Sequence, residues 1–246
     1  MTATTHQNPL MIGAGLPPFN SIEAAHIVPG ITTLIDDLTA ALETLEADVS
    51  PSWQGLVEPL TDIEERLGWS WGIVGHLMGV KNSPELRAAY EEVQPALVQF
   101  ATCLGQSKPL YEAFKQLRAS GQWSSFAPAQ QRIVESSIRE AELSGVGLEG
   151  AKKERFNEIQ QALAELTTRF ANNVLDANKA FSLTLTTPDE IDGLPPSLLA
   201  LGAQLARDAG EESATATAGP WRITLDSPSF GPFMQHSCRR DLREQI

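Results

Sequence analysis

The sequence predicts a mainly α-helical protein that carries a small antiparallel β element near its C-terminal end. Three observations predict it. Apolar residues recur with a 3.6-residue period through most of the first 180 residues. Ser, Pro and Gly fall where helix caps and stops require them. At 181–187 and 221–225 the period changes to two, the alternation of a half-buried strand.

Residues 1–20 read as an extended arm, because Pro17 and Pro18 exclude a helix interior and Gly13 and Gly15 add freedom. Residues 21–180 read as a helical domain. Ser21 caps a short helical turn ahead of Pro29. Ile31, Leu34, Ile35, Leu38, Leu42 and Leu45 then share one helix face, with Asp36, Asp37, Glu43 and Glu46 off it, and Pro51 follows the end near Val49. In 52–80, Leu56, Leu60, Ile63 and Leu67 form the next stripe, which Pro59 is expected to break or kink. Gly68, Gly72, Gly75 and Gly79 follow on one face. A helix glycine costs about 1 kcal/mol relative to Ala, so four in a row predict that another helix backbone approaches there.

Ser83, Pro84 and Glu85 form a cap, a first-turn proline and an acid at the positive helix end. Leu86, Tyr90, Val93, Leu97, Phe100 and Leu104 make the buried seam of that helix; Pro95 should kink it and Gly105 end it. Further helices are predicted over 107–119 and 128–144, the latter starting on Pro128 and stopped by Gly145. The longest spans about 149–180, with Phe156, Ile159, Leu163, Leu166, Phe170 and Val174 as its apolar stripe. Residues 181–246 read as a strand–helix–strand–helix segment. Phe181, Leu183 and Leu185 alternate in one strand, and Trp221, Ile223 and Leu225 in the other. A helix over 196–209 and a polar, mobile loop, "AGEESATATAG", lie between them. Helical character returns after Pro228, and Leu242 and Ile246 share a face.

Composition narrows function. Hydrophobic residues make up 42% of the chain, enough for a real core. A net charge of -13 repels phosphate backbones and anionic lipid, which argues against nucleic-acid or membrane partners. No apolar run is long enough to span a bilayer. The start lacks a basic, then apolar, signal-peptide pattern. Cys103 and Cys238 read as two free thiols in a reducing, cytoplasmic setting.

A search for chemistry finds none. His6, His26, His76 and His236 include no pair four residues apart around a Glu, so a two-histidine helical zinc site is absent. His26 and His76 read as histidines satisfied within the packing. The cysteines have no metal-ligand spacing, and no Gly-x-Ser-x-Gly elbow occurs. Glu64–Glu65, Glu91–Glu92 and Glu211–Glu212 read as solvated faces, since acid–base work needs a cleft. The tryptophans Trp53, Trp69, Trp71, Trp123 and Trp221 read as packing residues. Cys238 would be reactive only if exposed at a helix N-terminus.

Several segments in combination carry a resemblance: "AHIVPGI", "LMGVKNSPELRAAYEEVQP", "ELSGVGL", "RFANNVLDANKAF" and "WRITLDSPSFGPFMQHSCRRDLREQI". Their order and spacing are similar to those of the thimet oligopeptidase family of zinc metallopeptidases, over nearly the whole chain from about Asn8 to Ile246. The resemblance implies the multi-helix N-terminal part of a two-lobed fold around a deep channel. It implies, for a complete enzyme, cleavage of short peptides in the cytoplasm, with folded proteins excluded. It also implies zinc, held by the two histidines of a His-Glu-x-x-His helix and a more distant Glu, with the motif Glu activating the metal-bound water.

In the family that apparatus lies far downstream of the stretch resembling 242–246, and no position here matches it. No catalytic, cofactor-binding or metal residue is therefore carried over, and no zinc is expected on this chain. The chain is expected to be a non-catalytic N-terminal third, inactive alone, whose partner is a missing catalytic domain. Leu242 and Ile246, with no later sequence to pack against, are expected to lie exposed. Two other readings remain: a non-enzymatic helical module that binds peptides or a protein, and a subunit of a split peptidase.

Overall fold

The structure, a computed structural model, describes residues 8–246. Residues 1–7 of the predicted arm, His6 among them, lie outside the described residues. The chain is mainly helical, with a two-stranded antiparallel sheet. It divides into two compact units, the first ending at Glu165 and the second spanning Leu166–Ile246.

The first unit is built from α1 (Ile27–Ala47), α2 (Glu58–Val80), α3 (Pro84–Gly105), α4 (Lys108–Ala119), α5 (Pro128–Leu143) and the start of α6 (Gly150–Ala180). Two apolar clusters hold it. Leu34, Leu38 and Leu42 of α1 meet Phe100, Phe114, Leu117 and Val134 in one. Ile27 and Ile31 meet Val74, Leu86 and Val93 in the other. The α1 stripe is thus shared between both clusters, which is why its apolar face is wide.

Local chemistry explains the helix ends. Ser83 Oγ accepts from the Leu86 N–H at 3.2 Å and caps α3. Gly145, at φ +84°, closes α5, and the Val146 N–H reaches back to the Ala141 carbonyl at 3.0 Å. Two prolines stand where helical winding changes. Pro29 follows the 3₁₀ turn Ala24–His26 within the first turn of α1, and Pro59 is the second residue of α2. A π-helical turn, Trp53–Val57, leads into α2. The described part of the arm is pinned to this unit: Ser70 Oγ donates to the Leu10 carbonyl at 2.7 Å, and Trp69 Nε1 to that of Gly15 at 2.9 Å.

The glycine stripe on α2 corrects the sequence reading. A Cβ added at Gly68, Gly72, Gly75 or Gly79 would meet nothing within 4 Å. No helix approaches there among the described residues; the stripe faces open space.

The second unit holds the rest of α6, β1 (Leu183–Leu185), α7 (Pro196–Asp208), β2 (Trp221–Ile223), α8 (Ser227–His236) and α9 (Arg240–Gln245). Leu183 faces Ile223 and Leu185 faces Trp221 across the antiparallel pair. Leu185, Leu198, Trp221, Ile223 and Phe233 fill the core. Gly202 lets α7 lie close to β2, because a Cβ there would stand 3.1 Å from that of Trp221. The loop expected to be mobile is fastened. Thr215 and Gly219 form a β-bridge, Trp221 Nε1 donates to the Ala216 carbonyl at 3.1 Å, and Ala214 is buried. Leu242 and Ile246 also differ from expectation. Leu242 is buried in this core and Ile246 packs against it, since α9 folds back instead of projecting.

Candidate functional site

The residues singled out in the sequence scatter over the fold. His26 is half-buried, and its Nδ1 accepts from the Glu23 N–H at 3.1 Å, so it caps the turn that opens α1. His76 is exposed on α2 with its ring 5.4 Å from that of Phe19. His236 is exposed at the end of α8. Both cysteines are free and exposed. The Cys238 thiol is pushed above its ordinary range, chiefly by its hydrogen bond to the Asp192 carboxylate, the opposite of activation. The tryptophans pack: Trp71 stacks on Tyr90 at 4.5 Å, Trp53 meets the edge of Phe126 at 5.8 Å, and Trp221 is buried.

The acidic pairs are exposed. One of them, Glu64, has a raised pKa. Packing that strips water from its carboxyl raises its pKa first, and the nearby Glu140 carboxylate adds to the rise. Among the described residues no three His, Cys, Asp or Glu side chains converge as a metal would require. The described residues therefore do not fit a zinc site, and no chemical step is derived through one.

Two hollows mark the first unit. One, of about 740 Å³, lies where the turn before α1 meets the α2–α3 connection, and mixes apolar Val28, Leu77 and Leu86 with Glu23, Lys81 and Glu92. The other, of about 550 Å³, is polar, lined by Gln99, Thr102, Lys108, Lys153 and Asn157 among others. In it, Lys108 Nζ is paired with the Glu149 carboxylate at 2.8 Å. Neither hollow assembles the groups of a hydrolytic centre.

The most unusual surface belongs to α6. Sequence periodicity places its apolar stripe inward, and the structure places it outward. Ile159 is 40% exposed, Leu163 52%, Leu166 55%, Phe170 71% and Val174 42%. The residues of α6 that are buried are the polar Thr168 and Asn172. The N-terminal part of the helix is attached to α3 by amides: Gln106 Nε2 donates to Asn157 Oδ1 at 2.9 Å, Gln161 Nε2 to the Pro95 carbonyl at 3.0 Å, and Gln94 Nε2 to the Ala164 carbonyl at 3.2 Å. These bonds satisfy the polar ridge, so the helix is held with its apolar face to solvent. A signal was present in the sequence. Asn157, Gln161, Thr168 and Asn172 form a second stripe at helical spacing beside the apolar one.

Among the described residues, no helix is long and apolar enough to cross a membrane. Compared with known proteins, residues 31–153 match the family model of the N-terminal domain of neurolysin and thimet oligopeptidase. The chain is 53% identical over 243 residues to a probable cytosolic oligopeptidase A of Arabidopsis thaliana, a match that covers 99% of this chain and 35% of the relative. It is 38% identical to oligopeptidase A of Salmonella typhimurium, over 97% of this chain and 34% of the relative. An organellar, chloroplastic or mitochondrial, oligopeptidase A of Arabidopsis thaliana is 52% identical over 99% of this chain and 31% of its own length. The chain thus spans about a third of the length of these curated relatives.

Proposed function

Because the chain belongs to the thimet oligopeptidase family through a match to its N-terminal domain, we propose that it is the non-catalytic N-terminal portion of an oligopeptidase A-like zinc metalloendopeptidase. The observation that carries this reading is the alignment of nearly the whole chain with one third of relatives named oligopeptidase A. In the complete enzyme the zinc and its activated water belong to the polypeptide beyond the matched third, and this portion contributes helical wall. The substrates are short peptides, and the acidic composition and free thiols favour the cytoplasm. By itself the chain is expected to hydrolyse nothing, because among its described residues no three zinc ligands converge.

The hollow of about 740 Å³ favours a second reading, a free-standing module that binds peptides without cleaving them. One experiment separates the two. The purified chain, and the same chain joined in frame to the remaining two thirds of the Arabidopsis cytosolic relative, are loaded with zinc and assayed on a quenched peptide substrate. The expected result is no cleavage by the chain and chelator-sensitive cleavage by the fusion. Peptide binding by the chain, with an inactive but folded fusion, would instead support the module.

A further inference from the structure

The apolar face of α6 has the pattern of a helix–helix seam. Phe156, Ile159, Leu163, Leu166 and Phe170 follow one another at intervals of three, four, three and four residues, the a and d positions of successive heptads. Val174 extends the row one step further. At 1.5 Å per residue the row runs about 27 Å along one uninterrupted helix. Solvent-exposed apolar rows of this length are rare on monomers and mark contact surfaces.

From this we infer that the α6 face docks an amphipathic helix belonging to the polypeptide that makes up the remaining two thirds of the oligopeptidase A relatives. The inference rests on the proposed function above. Three observations select this occupant. The seam is spaced for a helix, not for a strand or an irregular peptide. The positions beside it are Gln160, Ala162 and Thr167, with the cations Arg155 and Arg169 at its margin, so the partner stripe is aliphatic or aromatic. The relatives contain about two thirds more of their length than this chain matches, enough polypeptide to supply the helix. A second copy of this chain is disfavoured, because each copy brings a net charge of -13.

The polar ridge of α6 makes the argument independent of the apolar row. Had the helix been mounted by its apolar stripe, the amides on the other side would face water and need no partners. Instead Asn157 and Gln161 are engaged by α3. The orientation is set by specific bonds, and it leaves the seam free to receive another element.

The test measures accessibility. Leu163→Cys and Phe170→Cys are introduced singly into a background carrying Cys103→Ser and Cys238→Ser. Maleimide labelling at each site is followed by peptide-resolved mass spectrometry in the 246-residue chain and in the fusion described above. Glu158→Cys, at an exposed position off the seam, is the control. The expected result is labelling at least tenfold slower in the fusion at both seam sites, with the control unchanged. Equal labelling in a fusion that cleaves peptides overturns the inference and leaves the proposed function standing. Protection in a fusion that folds but does not cleave supports the inference and counts against the proposed function. Protection in the chain alone that grows with its concentration overturns the inference in favour of a second copy. A second measurement needs no fusion. The chain should bind a hydrophobic dye, and a Leu163→Ser, Phe170→Ser variant should lose at least half of that signal without a change in Tm. A chain that binds no dye overturns the inference.

Discussion

Replacing Gly193 with Ala should unfasten the second unit. Gly193 sits at φ +84°, where an L side chain costs about 1–2 kcal/mol. The added methyl would overlap the His236 carbonyl oxygen and stand 2.8 Å from Cys238 Sγ. His236 ends α8 and Cys238 lies in the turn that follows it, and the overlap with His236 is with backbone, which has no rotamer to move. Relief requires shifting that turn. The shift endangers the Cys238 N–H bond to the Asp192 carbonyl, 2.9 Å long and worth about 1 kcal/mol net. Overpacking of a tight site adds about 1–3 kcal/mol. Together these predict a loss of about 3–6 kcal/mol. Gly210→Ala is the matched control. Gly210 also has a positive φ, +103°, but a Cβ there meets nothing within 4 Å, so only the backbone cost of about 1–2 kcal/mol applies. Because a chain of two units need not unfold in one step, the readout should be local. Hydrogen exchange of the β1 and β2 amides reports the second unit directly. Gly193→Ala should speed that exchange by about two to four decades and Gly210→Ala by about one. Exchange within threefold of each other in the two variants would refute the steric reasoning.

Three further outcomes follow from particular side chains. Glu64→Gln should raise Tm at pH 7. Its folded pKa is raised, so ionisation opposes folding above that value, whereas below the unfolded value of about 4.3 both residues are neutral and the two proteins should melt alike. Glu190→Gln should do the opposite. Its carboxylate accepts from the Thr186 and Thr187 N–H groups at 2.7 and 2.9 Å, which lowers its pKa. The loss of about 1 kcal/mol or less should be present at pH 7 and fade as acid titrates the carboxyl through its lowered value, read by melting across that range. Ser70→Ala should cost about 1–2 kcal/mol in urea unfolding, because Ser70 is buried and its hydroxyl satisfies the Leu10 carbonyl; a change under 0.3 kcal/mol, the scatter about such a measurement, would mean water takes its place.

Most of the helices were legible as sequence. The Ser83 cap, the Gly145 stop and the Pro128 start act over a few residues, so the chain carries the whole instruction locally. The two strands were legible for the same reason, since alternation around Leu183 and Trp221 needs only a neighbouring strand to bury one face. Pro59, expected to break or kink its helix, stands directly after the π-helical turn Trp53–Val57; periodicity alone could not place the residue at which regular α winding begins. The polar loop before β2 was misjudged because its anchors, the bridge from Thr215 to Gly219 and the Trp221 indole, act through backbone carbonyls that composition does not register.

What the sequence by itself determined is the set of elements, the absence of metal-ligand spacing, and membership of a peptidase family through segments that keep their order. What only the tertiary structure decided is which way those elements face. The four glycines of α2 promised a close helix neighbour and look onto open space. Leu242 and Ile246 promised an exposed end and lie in or against a core. The long helix α6 promised a buried apolar stripe and presents it to solvent. Periodicity reports that a helix has two faces, but both can make favourable contacts: one by releasing water from apolar surface, the other by pairing amides with carbonyls. In α6 the partners Gln94, Pro95 and Gln106, some 50 to 70 residues away in sequence, engage the polar side. That choice depends on contacts made only after the chain folds, and it leaves the apolar side facing solvent.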